Sequence, residues 1–146
     1  EGLYDPANEP DIAYPYLFSY FKGEEWRTQK ETQRLLDKYF TTKPDGIPGN
    51  DDTGTMSSWA IFNMIGFYPD CPGLPEYTLT TPVFDKVTIR LDPKWYKEKE
   101  LVIESNRAQP GTLYINKVLL NGKKFNKYHI THDELVHGQH IYFDLK

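Results

Sequence analysis

The feature that most constrains this chain is a single change of hydrophobic period across the breaker stretch Tyr68-Pro-Asp-Cys-Pro-Gly-Leu-Pro75. Before it, apolar residues recur at helical spacing; after it, they alternate with polar ones. A helix buries one stripe and a strand buries one face, so one switch without return puts helices first and a sheet second. The implied class is α+β, with about three helices followed by an antiparallel β region. Residues 1–74 read as the helical segment and residues 75–146 as a β region packed on it. No repeat or low-complexity tract interrupts either part.

Within the helical part, residues 12–21 predict a short buried helix, with Asp11 as cap and Pro15 in the first turn, where a missing N–H costs little. From Gly23 to Phe40, Trp26, Leu35, Leu36, Tyr39 and Phe40 stand among Glu, Lys, Arg and Gln, which predicts an amphipathic helix ending before Lys43-Pro44. Residues 55–65 are apolar on nearly every side, predicting an interior helix capped by Thr55 or Ser57 and stopped at Gly66. In the second part, Val87, Ile89 and Leu91, then Leu101 and Ile103, then Ile141, Phe143 and Leu145 mark half-buried antiparallel strands. Asn121-Gly122 between Leu120 and Lys123 predicts a type I′ hairpin turn, because both residues tolerate positive φ.

Composition narrows function by exclusion. The first 73 residues hold 12 acidic and 6 basic side chains, and the remainder 9 acidic and 11 basic, the basic ones scattered among strands. A phosphate backbone has no basic patch to meet, so nucleic acid is excluded as a partner. No apolar run reaches the roughly 18 residues of a membrane span, and no basic-then-apolar leader opens the chain. The one cysteine, Cys71, excludes a disulfide framework and any multi-cysteine zinc site. Aromatic residues make up 15% of the chain, a density that suits either a sugar-stacking surface or a core of large rings. The opening Glu1-Gly-Leu-Tyr, without an initiator Met and running into a helical pattern, reads as part of a longer chain.

Chemistry concentrates in the loop Lys43-Pro-Asp-Gly-Ile-Pro-Gly-Asn-Asp-Asp-Thr-Gly54, which delivers Asp45, Asp51 and Asp52 just before the most apolar helix. A helix N-terminus favours ionised carboxylates, as a general base or a hard cation requires. The same residues also suit plain capping and turn formation, and the loop itself leaves both readings open. Its spacing is not that of an EF-hand. Asn8-Glu9-Pro10, preceded by Asp5-Pro6, is a second acidic turn offering an amide oxygen and a carboxylate, two of the six to eight oxygens calcium takes. Ser57 and Ser58 lack a nucleophile-elbow pattern, Cys71 sits beside Asp70 where its thiol would not be activated, and His129, His132, His137 and His140 read as surface residues rather than a metal set.

Seven ordered blocks between residues 5 and 87 carry a resemblance: Asn8-Glu9-Pro10, Trp26-Arg-Thr-Gln-Lys30, Pro44 through Gly54, Met56-Ser-Ser-Trp59, Gly66-Phe-Tyr-Pro69, Cys71-Pro-Gly73 and Pro82-Val-Phe-Asp-Lys-Val87. Together they resemble the C-terminal part of glycoside hydrolase family 92, the calcium-dependent exo-α-mannosidases. The resemblance implies that the helices are part of an α/α barrel-type catalytic domain. It also implies inverting hydrolysis of terminal α-mannosides, typically α-1,2-linked mannose of N-glycans, outside the cytoplasm: secreted, periplasmic or at the cell surface. Carried onto this sequence, it makes Asp52 the general base, with Asp51 the second choice. Asn8 and Glu9 become ligands of Ca²⁺, and Asn50, where many relatives have a second Asp, becomes a water-orienting residue.

The resemblance places the general acid on an upstream segment that residues 1–146 do not match, so this piece is expected to need the remainder of the parent enzyme and to be inactive alone. A carbohydrate-binding or structural β module without catalysis is the competing reading. Trp95, Tyr96 and Tyr142 exposed on one flat strip would favour it. For the mannosidase, Trp59 and Tyr14 are the rings expected near the sugar.

Overall fold

The computed structural model describes residues 6–146; Asp5 of the acidic turn lies outside the described residues. Two 3₁₀ helices, Glu9–Asp11 and Tyr14–Tyr20, lead into α1 (Glu25–Tyr39) and α2 (Thr55–Ile65). Strands β1 (Phe67–Tyr68) and β2 (Glu76–Leu79) follow, then β3 (Lys86–Arg90), β4 (Glu100–Arg107), β5 (Ile115–Leu120), β6 (Lys123–Phe125), β7 (His129–Thr131), α3 (His132–His137) and β8 (His140–Leu145). The α+β order read from the period change is present, although β1 already begins at Phe67.

The helix expected over residues 12–21 is the tighter 3₁₀ form, entered from Ala13 without a side-chain cap rather than from Asp11. With three residues per turn, positions three apart eclipse, so Tyr16 and Ser19 turn inward while Leu17, Tyr20 and Phe21 stay exposed. It is therefore only partly buried. Helix α1 also differs from its expected stripe. Its buried face includes Thr28, Gln29 and Thr32 beside Leu35 and Leu36, and Trp26 is exposed. Two of these polar groups have clear partners: Gln29 Oε1 accepts the Ile115 N–H at 2.9 Å, and Thr32 Oγ1 donates to the Thr28 carbonyl at 2.8 Å. The Gln29 bond joins the helical part to the edge of β5.

Neither Thr55 nor Ser57 caps α2. The N-cap is Gly54 at φ 87°, and the first-turn donors go to Asp51 instead, whose Oδ1 accepts Ser57 N–H at 2.7 Å and whose Oδ2 accepts the Ser57 hydroxyl at 2.8 Å. Gly66, at φ 116°, stops the helix as expected. A side chain there would press on Pro82 at 3.2 Å. The helix is not wholly interior, since Ile61 and Ser58 face outward.

The strands form two sheets, β1-β2-β7 and β3-β4-β8-β5-β6. The second is not wholly antiparallel: β4 and β8 run parallel, Ile103 opposite Ile141. The cause is topological, because β5, β6, β7 and α3 intervene and supply the long crossover that parallel neighbours need. Asn121 and Gly122 take φ 50° and 74°, the expected hairpin turn. Strand β7 and helix α3 went unread, although Thr131-His-Asp-Glu134 is a capping box, its Thr131 hydroxyl accepting from Glu134 N–H.

Two cores result. Leu101, Ile103, Ile141, Phe143 and Leu145 centre the sheet core, and Tyr16, Leu35, Leu36, Trp59 and Ala60 the helical one. Aromatic rings fill the helical core, where Phe40 stacks on Trp59 at 5.3 Å and Tyr16 on Tyr68 at 4.8 Å, and Phe62 links it to the sheet core by meeting both Phe67 and Tyr68 edge-on. Much of the aromatic excess is thus core. Inside the helical core, the fully buried Tyr16 and Asn63 satisfy each other, with Tyr16 OH donating to Asn63 Oδ1 at 2.9 Å and Asn63 Nδ2 donating to the Trp59 carbonyl at 2.8 Å.

Two predictions follow from these contacts. Tyr16→Phe keeps the ring but strips Asn63 Oδ1 of its donor, so urea unfolding should show a loss of about 1–3 kcal/mol. The Ser57 N–H, then its hydroxyl, hold the Asp51 carboxyl below the usual carboxylate range. That stabilisation is complete above the unfolded-state value and is lost as pH falls through the lowered folded one. Asp51→Asn should therefore lower Tm at neutral pH, and the difference from wild type should shrink below about pH 4.

Candidate active site

The acidic loop owes its path to glycines that nothing else could replace. At Gly46 a Cβ would lie 2.1 Å from the Thr41 carbonyl oxygen, so only glycine closes the turn in which Thr41 N–H bonds the Gly46 carbonyl at 2.9 Å. Gly49, at φ 66°, lies against Ala7, where a Cβ would meet both the Ala7 Cβ and its carbonyl oxygen at 2.9 Å. That contact seats the acidic loop beside the residue that precedes Asn8 and Glu9. The two segments singled out by sequence, some forty positions apart, meet here through backbone.

Beyond Gly49 the two aspartates separate in role. Asp51 is consumed by α2: its carbonyl accepts Thr55 N–H at 2.6 Å and both carboxylate oxygens are held by Ser57. Asp52 is exposed, and among the described residues no hydrogen bond or ion pair engages its carboxylate. Its backbone turns through φ 35°, followed by Thr53 at 63° and Gly54 at 87°. A β-branched threonine in the left-handed region is strained, and such strain gathers where a side chain has to be aimed. Asn50 is likewise exposed.

Asn8 occupies the N-cap position of the Glu9–Asp11 turn, and its carbonyl accepts Asp11 N–H at 2.9 Å. Its side chain does not cap the turn, which leaves the amide oxygen available, and the Glu9 carboxylate beside it is exposed. Two hard oxygen donors side by side suit calcium but cannot complete its shell. Among the described residues no group of three or more His, Cys, Asp or Glu could hold a metal ion. Asn8 and Glu9 fit calcium as part of a set.

The sequence reading took Tyr68–Pro75 as a breaker and gave Tyr68 and Asp70 no role of their own. Asp70 Oδ1 accepts the Thr78 hydroxyl at 2.6 Å and Oδ2 accepts the Tyr20 hydroxyl at 2.8 Å, fixing that carboxylate firmly. Tyr68, one step before Pro69, has its phenol pushed up to about 12, first by burial and then by the carboxylates of Asp70 and Glu9. It stays a neutral donor at any physiological pH. His137 is an exposed surface group, whereas the other three histidines are half-buried and make side-chain contacts. His129 Nε2 lies 3.0 Å from Ser19 Oγ; because that hydroxyl already donates to the Tyr16 carbonyl, the histidine nitrogen is the donor. His132 reaches the hydroxyls of Tyr77 and Tyr96, and His140 reaches Glu104. Of the strip proposed for a binding module, Trp95 is exposed while Tyr96 and Tyr142 are half-buried. Trp59, expected near a sugar, is 2% exposed and belongs to the core, whereas Tyr14 is exposed.

Among the described residues, no helix is long and apolar enough to cross a membrane. Comparison with known proteins gives the geometry its context. The chain is 30% identical over 132 residues, 90% of its length, to an uncharacterized secreted glycosidase of Arthroderma benhamiae, of which it covers 17%. It superimposes on a family GH92 α-mannosidase of Bacteroides thetaiotaomicron, solved in complex with mannoimidazole, with a TM-score of 0.88 and 32% identity, over 99% of this chain and 18% of that one. A family GH92 inverting mannosidase of the same bacterium matches with a TM-score of 0.82 and 35% identity, over 96% of this chain and 19% of that one. The chain thus spans less than a fifth of each relative. The model of the glycosyl hydrolase family 92 catalytic domain matches residues 1–146, and the chain belongs to that family.

Proposed function

We propose that the complete protein carrying this chain is an exo-α-mannosidase that removes terminal α-1,2-linked mannose from N-glycans with inversion and with calcium, outside the cytoplasm. The observation that carries the reading is the seat of Gly49 on Ala7, which sets the Asp52 loop beside the Asn8-Glu9 turn. The mannosidase relatives and the secreted glycosidase support the same class and compartment.

Inverting hydrolysis needs two carboxyl groups about 6.5 to 9.5 Å apart, one protonating the leaving oxygen and the other activating water. Asp52 takes the second role. Its carboxylate is exposed and uncommitted among the described residues, so both oxygens can accept a proton from water. Asp51 cannot swing to that task without uncapping α2. Asn50 orients the water through its amide, which can donate or accept but cannot share a proton. Asn8 and Glu9 would hold calcium, which supplies a positive contact to neighbouring sugar hydroxyls. The general acid and the remaining calcium ligands lie outside these residues, so residues 1–146 alone do not turn over substrate.

In the complete protein, Asp52→Asn should reduce kcat on α-1,2-mannobiose by at least about a thousandfold while KM moves little, in line with loss of a general base and its charge; activity within tenfold of wild type would rule out Asp52. Glu9→Gln should raise the calcium concentration needed for half-maximal activity, measured by titration after chelation. An unchanged calcium curve would remove Glu9 from the metal site.

A further inference from the structure

Many of the rings pack the two cores, but Trp26, Tyr114 and Tyr128 belong to neither. They line a cleft of about 420 Å³ where α1 meets β5 and the approach to β7, together with Gln29, Ile115 and Lys146. None of these residues comes from the acidic loop or from the Asn8-Glu9 turn. The walls are held from behind. Tyr114 and Lys146 exchange backbone hydrogen bonds at 2.9 and 2.8 Å, and the Tyr128 carbonyl accepts Leu79 N–H at 2.8 Å. The rings of Trp26 and Tyr114 meet at 74° and 6.3 Å, a corner rather than a closed stack.

Gln29 gives the cleft its chemistry. It is 2% exposed, and its Oε1 is taken by Ile115 N–H at 2.9 Å, which fixes which end of the amide is oxygen. The amide nitrogen makes no hydrogen bond among the described residues. Among those residues, the buried side-chain atoms that are both sealed and unpartnered are Thr28 Oγ1 and Trp59 Nε1, so the Gln29 nitrogen touches open space, and the cleft that Gln29 lines supplies it. A buried donor of this kind costs stability unless a ligand or water takes its hydrogens. The Tyr114 and Tyr128 hydroxyls, on half-buried residues, are likewise without a hydrogen bond among the described residues. Burial, and then the Glu25 carboxylate, raise the Tyr128 phenol above its ordinary value, so it stays a neutral donor.

We propose that this cleft is a second glycan-binding site, which holds a hexose of the N-glycan through the Gln29 amide and the two tyrosine hydroxyls, with Trp26 against the sugar's C–H face. The choice of a mannose-rich glycan rests on the mannosidase reading; the choice of a neutral polyol rests on the cleft. No carboxylate lines it, so a metal ion finds no hard ligand set. Lys146 is its one cationic side chain and Glu25 acts on Tyr128 nearby, so an anion is poorly served. A wholly apolar ligand would leave the Gln29 nitrogen unsatisfied. A sugar brings hydroxyl oxygens to three neutral donors and an apolar face to the indole, and such a mixture of rings with a few placed polar groups is what small-ligand sites use.

The test measures binding of the complete protein to immobilised ribonuclease B, which carries a high-mannose N-glycan, and to ribonuclease A, the same polypeptide without it. Calcium is chelated, so that the glycan is not trimmed and the terminal-sugar site is weakened. Trp26→Ala should weaken binding to ribonuclease B about tenfold. Tyr128→Phe, which keeps the ring and removes one hydroxyl, should weaken it about fivefold. Both variants should retain wild-type kcat/KM on 4-nitrophenyl α-D-mannoside. The site is overturned by absence of glycan-dependent binding in wild type, by unaltered binding in either variant, or by a fall in kcat/KM that matches the loss of binding. Equal binding to both ribonucleases would make the cleft a peptide surface and overturn it too. Failure of wild type to hydrolyse any α-mannoside would sink the mannosidase reading alone, because binding is read without turnover.

Discussion

The Tyr16–Asn63 pair is the contact on which the helical part depends. Both side chains are fully buried, and a polar group taken out of water must find its partner or cost stability. Because Tyr16 comes from the Tyr14–Tyr20 turn and Asn63 from α2, satisfying one satisfies the other and fixes the two elements face to face. The consequences radiate outward. Tyr16 stacks on Tyr68 and so holds β1, the Asn63 carbonyl accepts the Thr80 hydroxyl, and Ser19 on the same turn reaches His129 in β7. A bond between two helical pieces thereby sets where the smaller sheet begins.

The acidic loop shows how stability and reactivity can be divided between neighbours. Asp51 gives both oxygens to α2, and its negative charge lies where the helix dipole welcomes it. Asp52, one residue on, opens a left-handed run through Thr53 and Gly54 and is exposed. Anchoring one carboxylate makes the direction of the next reproducible. The two readings of the loop that sequence left open, capping and chemistry, describe adjacent residues rather than rival roles for one.

Elements with strong periodicity or specific turn chemistry were legible. The alternation of Ile141, Phe143 and Leu145, the Asn121-Gly122 hairpin and the Gly66 stop all reappear, because each is determined by local burial or φ preference. What escaped depends on distant partners. Gln29 fell among the polar residues of the helix because its polarity is visible in sequence and its hydrogen bond to Ile115 is not. Asp51 took the cap from Thr55 and Ser57 because the loop folds back by six positions to reach the helix. The parallel pairing of β8 with β4 carries no pattern of its own, and Asp70 is marked only by flanking prolines. The meeting of Gly49 with Ala7 was likewise invisible, since the family motifs name both segments without saying that they touch.

The strand order of the larger sheet also dictates when that sheet can exist. β3 pairs with β4 and β5 with β6, each through a connection short enough to form as soon as it leaves the ribosome. The two pairs do not touch each other directly; β8 lies between them and hydrogen-bonds to both β4 and β5. Until residues 140–145 emerge, each pair therefore shows a bare edge and an unsealed apolar face, the condition that invites adhesion between nascent chains. Ile141, Phe143 and Leu145 work as a keystone: the arch stands only after they arrive, and whatever guards the protein during synthesis has to guard it up to that moment.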